Sequence, residues 1–153
     1  MAQPTAEARS DAIPHWYGDG DVLTLVDGDG VTVYDDDGNA YLDFLSQLYC
    51  VNAGHGDDRI VEAITDQAER IPYVSSSKGN DARSALAARI AAVAPGDLGD
   101  VFFSVSGSEA NESAVQFARE FTGGRKVLTR YQSYHGATYG AASLTGDPET
   151  RNA

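Results

Sequence analysis

Ser106-Gly107-Ser108-Glu109-Ala110-Asn111-Glu112, with Tyr134-His135-Gly136 further along, brings together the residue types that hold a flat, phosphorylated, aromatic molecule. Ser106 and Glu109 have the S-x-x-E spacing of a capping box, which predicts a helix starting here. The first N–H groups of a helix lack partners inside it and stand at the positive end of its dipole. Gly107 has no Cβ, so an anion can approach the backbone closely, and Ser108 adds a hydroxyl donor. A phosphate at such a helix start gains on the order of 0.3–2 kcal/mol from the helix end, plus its direct hydrogen bonds. Tyr134 offers a ring for stacking, and His135 a side chain that can support a site by hydrogen bonding. The same residues also fit an ordinary βα turn whose helix start binds water. Neither G-x-x-x-x-G-K-[ST] nor G-x-G-x-x-G occurs, so P-loop and dinucleotide fingerprints are absent.

Elements must position these residues. Val101-Phe102-Phe103-Ser104-Val105 is β-branched and aromatic and predicts a buried strand before the turn. Ala110, Ala114, Phe117, Ala118 and Phe121 then form one helical stripe. Lys126 to Tyr131 predicts the next strand, implying a parallel βαβ crossover. Tyr134-His135-Gly136-Ala137-Thr138 follows that strand's C-terminal end, the edge where open α/β sheets bind ligands.

Taken together, these residues resemble the N-terminal portion of class III (ω-amino-acid type) pyridoxal-phosphate-dependent aminotransferases. The resemblance runs from Val33 to Gly146. It is carried by Tyr34-Asp35-x-x-Gly38-x-x-Tyr41-Leu42-Asp43-Phe44, by Asn52-Ala53-Gly54-His55-Gly56, and by Phe102-Phe103-x-x-Ser106-Gly107-Ser108-Glu109-Ala110-Asn111-Glu112-x-Ala114. Ala118-Arg119-x-x-Thr122-Gly123, Tyr134-His135-Gly136-x-Thr138 and Ser143-x-Thr145-Gly146 complete it in order. It implies an α/β, fold-type I enzyme. Residues 1–56 would supply an N-terminal arm and part of the small domain. Residues 57–153 would begin the doubly wound large domain that binds the cofactor.

The resemblance implies pyridoxal 5′-phosphate as cofactor, with Gly107 and Ser108 at its phosphate, Tyr134 stacked on its ring and His135 in support. Tyr49 stands where relatives often carry Trp at the substrate pocket, and Gln47 where Gly is common. Both departures bear on substrate subtype. The implied reaction moves an amino group from an amine or amino acid to a 2-oxo acid, in a homodimer. Other fold-type I chemistry, such as an aminomutase, or a non-catalytic anion-binding module, remains open. The reaction needs a Schiff-base lysine and an acidic partner for the pyridine nitrogen. The two lysines, Lys78 and Lys126, lack a family-like context, and no residue of this chain is assigned as catalytic. The chain is therefore expected to be an N-terminal fragment, inactive alone.

Composition adds a second theme. Formal net charge is −12, with Asp and Glu at 23 against 11 Lys and Arg. Dense carboxylate suggests a halophilic protein, whose mutual repulsion molar salt screens, since the Debye length is ~3 Å at ~1 M. It argues against nucleic acid and anionic membrane as partners. The single cysteine, Cys50, forms no internal disulfide and is expected to be a small buried hydrophobe. No apolar run is long enough to span a bilayer and no signal pattern is evident, so the expected location is cytoplasmic.

Upstream, an irregular arm over residues 1–18, anchored by Trp16-Tyr17, is expected. Val22–Val26 and Val31–Tyr34 predict a hairpin turning at Asp27-Gly28-Asp29-Gly30, and Asp35–Asn39 a further turn. These acidic turns fail the EF-hand pattern, because Val31 occupies the third ligand position. His55, between two glycines, lacks partners at metal-ligand spacing, so no metal site is expected; His15 carries no functional signal. Asp57 or Asp58 caps a predicted helix with Ile60, Val61, Ile64, Ala68 and Ile71 on one face. A second runs near Asp81 to Ala94, with Leu86, Ile90 and Val93 inward, and Pro95-Gly96 ends it.

Overall fold

The computed structural model describes residues 22–151. The expected arm, with His15, Trp16 and Tyr17, lies outside the described residues. The chain divides into two compact units, one ending at Ser75 and the other starting at Ser76.

In the first unit, β1 (Leu25–Asp29), β2 (Thr32–Asp35) and β3 (Ala40–Leu42) form an antiparallel sheet in that order. The hairpin forms, but its turn is tighter than expected. Asp29 pairs with Thr32, and Gly30 takes the left-handed position at φ +57. Asp27 and Gly28, expected in the turn, therefore lie in the strand, beyond a bulge between Leu25 and Asp27. Gly28 is required there for contact: a Cβ would stand 2.8 Å from Cγ of His55. The next turn is built on the Asp35 carboxylate. It accepts from the amides of Asp37 (3.1 Å) and Asn39 (2.7 Å), from Asn39 Nδ2 (2.9 Å) and from Tyr41 OH (2.8 Å). The Asn39 side chain, then the Tyr41 hydroxyl, hold this carboxyl below its ordinary range. The same bond pushes the Tyr41 phenol up.

α1 (Ser46–Tyr49) is a left-handed turn. Its four residues have φ of 49, 47, 64 and 70°, and none is glycine. Left-handed backbone costs an L-residue roughly 1–2 kcal/mol each, so neighbouring structure must hold this turn. Cys50, which follows it, is exposed rather than buried: its Sγ lies 3.5 Å from Leu48 O. α2 (Asp58–Arg70) is capped by Asp57, whose side chain accepts from Arg59 N.

The second unit holds α3 (Asp81–Val93), α4 (Gly107–Thr122), α5 (Tyr139–Leu144) and α6 (Pro148–Arg151). Asn80 caps α3 by accepting from Arg83 N, and Gly123, at φ +68, ends α4. Neither Val101–Val105 nor Lys126–Tyr131 is a strand, and no ladder joins them. The expected parallel crossover is thus not formed among the described residues. Apolar, β-branched composition favours extended chain but does not supply the neighbour that makes it a strand. Phe102 packs on α4 instead, its ring centroid 5.4 Å from Phe117 at 90°. The predicted helices are present, but their apolar faces are not covered. Ile64, Val93 and Phe121 are 64, 84 and 93% exposed. An amphipathic face is buried only by a second layer, and among the described residues none covers Ile64, Val93 or Phe121. No helix among these residues is long and apolar enough to cross a membrane.

Candidate functional site

The start of α4 is fixed by two carboxyl and hydroxyl contacts. Ser106 Oγ accepts from Glu109 N at 3.2 Å, while Glu109 Oε2 accepts from Val105 N at 2.7 Å. The return bond therefore falls one residue earlier than in the usual capping box. The Ala110 amide donates to Ser106 O at 3.0 Å. The amides of Gly107 and Ser108 come before it and have no acceptor within the helix. Nothing would lie within 4 Å of a Cβ at Gly107, so no side chain crowds this residue.

Tyr134-His135-Gly136 is brought directly to this helix start. Ser108 Oγ accepts from Ala137 N at 3.1 Å, which leaves the hydroxyl proton to donate. Gly136 has φ +128, and a Cβ there would collide with Ser108 Oγ and stand 2.8 Å from Ser108 Cβ. One turn along α4, Asn111 Nδ2 donates to His135 O at 2.7 Å. Glu112 Oε1 accepts from Thr138 Oγ1 (2.7 Å) and Ala141 N (2.9 Å), and its carboxylate fills the space left by Gly140. The Thr138 hydroxyl, then the Ala141 amide, hold the Glu112 carboxyl below its ordinary range. Thr145 is fully buried, and its Oγ1 accepts from His135 N at 3.0 Å.

Four of the five expected site residues thus fall in one place. Gly107 and Ser108 present two amides and a hydroxyl. Tyr134, 65% exposed, and His135 follow on the loop that Ser108 and Asn111 hold. The His135 ring has no hydrogen-bond partner among the described residues; its backbone is what is held. Asn111, Glu112 and Thr145 were motif letters without a role in the sequence. For Asn111 and Glu112 the signal is spacing: Ser108, Asn111 and Glu112 share a helix face at i, i+3 and i+4.

Tyr49 belongs to the first unit. The residue is 72% exposed. The turn that carries it leans on Asp43. The Asp43 carboxylate accepts from the amides of Leu45 and Gln47 (both 3.2 Å), from Gln47 Nε2 (3.2 Å) and from His55 Nε2 (3.0 Å). The His55 bond is the largest cause lowering its pKa to about 2. No group of three metal-ligating side chains occurs among the described residues.

The donor set suits a phosphoryl group: two outward amides at a helix start, a hydroxyl with a proton to give, and a tyrosine nearby. Comparison with known proteins places the chain in a family. The profile of the class-III aminotransferases matches residues 16–153. A leucine/methionine racemase from Thermococcus litoralis is 40% identical over 69% of this chain and 24% of its own length. An acetylornithine aminotransferase from Bacillus amyloliquefaciens is 39% identical over 72% of this chain and 48% of its own. Among solved structures, a taurine:2-oxoglutarate aminotransferase from Bifidobacterium kashiwanohense, in complex with PLP and glutamate, superposes with a TM-score of 0.92 at 33% identity. That match covers 99% of this chain and 36% of the other.

Proposed function

The chain belongs to the class-III aminotransferase family, and from that premise we propose that it forms the cofactor-phosphate site of a pyridoxal 5′-phosphate-dependent transaminase. It spans from a quarter to a half of the length of the relatives above, so the activity of the whole protein is part of this proposal. The amides of Gly107 and Ser108, with the Ser108 hydroxyl, hold the phosphate. Tyr134 covers one face of the ring, His135 supports it, and Tyr49 lines the substrate pocket. The cofactor, when bound, supplies the electron sink that lets an amino group pass from an amine or amino acid to a 2-oxo acid. The protein's share is to bind it, orient it and keep water from the reacting face.

One observation carries the reading. Ser108 Oγ accepts from Ala137 N, so the residue that faces the phosphate also seats the loop bearing Tyr134. Phosphate grip and ring position are set by one side chain.

The racemase among the relatives favours a second reading, in which the same site inverts an amino acid without a 2-oxo acid. The two separate cleanly. Transamination by the whole enzyme requires an acceptor acid and yields its amino acid. Racemisation proceeds without acceptor and is read as loss of optical rotation. Turnover that stays absent until a 2-oxo acid is added supports the first reading; rotation lost without one replaces it with the second. The 153-residue chain by itself is expected to be inactive, because neither Lys78 nor Lys126 is assigned the cofactor's amine. Homodimeric assembly and the 56/57 domain division belong to the same proposal on the family resemblance, and a cytoplasmic location on the absence of an evident signal pattern or spanning run in the sequence.

A further inference from the structure

We propose that Asp43 is a positioning residue: paired with His55, it holds the left-handed turn Ser46–Tyr49 and thereby sets where the Tyr49 ring stands in the substrate pocket. This rests on the reading of Tyr49 given above.

Four successive left-handed residues do not persist unaided; such backbone survives where surrounding contacts over-determine it. The contacts here converge on one carboxylate, whose side chain is only 6% exposed. Oδ1 receives the Leu45 and Gln47 amides, at the entry and the second residue of the turn. Oδ2 receives Gln47 Nε2 and His55 Nε2. Asp43 is itself tied to the sheet, its amide donating to Val31 O at 2.9 Å. His55 is fixed still more firmly. Its backbone exchanges hydrogen bonds with Gly30, at 2.9 and 2.8 Å, and its ring fills the space above Gly28. A chain of contacts therefore runs from the β1–β2 hairpin through His55 and Asp43 into the turn. At the far end the Tyr49 amide donates to Leu45 O at 2.9 Å, and Asn52 Nδ2 donates to Tyr49 O at 2.9 Å. The backbone of Tyr49 is held on both sides while its ring projects outward.

The geometry also explains Gln47. With φ +47 it occupies a place that glycine fills without strain, and its side chain returns a bond to the same carboxylate.

The test uses the whole enzyme and a double-mutant cycle. Asp43→Ala is expected to raise KM for the amino donor about ten-fold more than it lowers kcat. In the Tyr49→Ala background the same change is expected to raise KM less than about two-fold, since the ring it places is gone. Asp43→Asn, which keeps the Oδ1 acceptor and folds more surely, is expected to fall between wild type and alanine. Hydrogen exchange gives a readout independent of turnover. The segment containing the Tyr49 and Cys50 amides should exchange about ten-fold faster in Asp43→Ala, with β2 and β3 little changed. If Tyr49→Ala alone leaves KM unchanged, the Tyr49 reading falls and this proposal with it. If Tyr49→Ala raises KM but Asp43→Ala acts equally in both backgrounds, or exchange of the turn is unaltered, only this proposal falls.

Discussion

A methyl group at Gly136 has nowhere to go. It would strike the Ser108 hydroxyl, and the residue's φ of +128 is itself unfavourable for alanine. Gly136→Ala is therefore expected to cost about 1–3 kcal/mol of stability and to weaken phosphate binding. Denaturant unfolding and a pyridoxal phosphate titration check the two effects. Glu112 has a related role, its carboxylate joining Thr138 and Ala141 to α4. Asp43 gives the clearest pH signature. Its pKa in the fold is lowered to about 2 from 3.8. A depressed carboxyl contributes stability that is fully present above its unfolded pKa and lost as pH falls through its folded one. The first unit should therefore lose stability between about pH 4 and pH 2, and Asp43→Ala should flatten that part of a melting-temperature profile. An unchanged profile would show that the carboxylate does not carry this dependence.

At the scale of elements, helix starts are the most legible feature. Ser106 was readable as a cap because a hydroxyl three residues before a carboxylate satisfies orphan amides locally. Asp57 and Asn80 act in the same way. Ser106→Ala is expected to destabilise α4 by about 1 kcal/mol, read as lost helix protection in hydrogen exchange. Strand partners were much less legible. Val101–Val105 and Lys126–Tyr131 have strand composition, yet a strand exists only where another chain segment pairs with it, and composition names no partner. The left-handed turn at Ser46–Tyr49 was invisible for the opposite reason. Its residues prefer right-handed backbone, and the contacts overriding that preference come from Asp43 and, through it, from His55, distant in sequence. That Gly107, Ser108, Tyr134 and His135 come together was readable by type and order. The ties of Asn111 and Glu112 to the loop were not, because they depend on which face of α4 the loop meets.

For the molecule as a whole, the dominant fact is its charge of −12. Repulsion among exposed carboxylates falls as salt shortens the Debye length from about 10 Å at 0.1 M to about 3 Å at 1 M. Melting temperature should therefore rise between those concentrations of KCl; a value insensitive to molar KCl would remove the halophilic reading. Ile64 of α2 and Phe121 of α4 stay exposed, and the chain spans a quarter to a half of its relatives' length. The cofactor-phosphate proposal rests on the start of α4, where the Gly107 and Ser108 amides have no acceptor within the helix and Ser108 seats the loop bearing Tyr134. The most direct measurement is a crystal structure of the whole protein with pyridoxal 5′-phosphate bound. Phosphoryl oxygens are expected about 2.7–3.2 Å from the Gly107 and Ser108 amides, with the Tyr134 ring over the pyridine. Phosphoryl oxygens held elsewhere, with water left at those two amides, would contradict it.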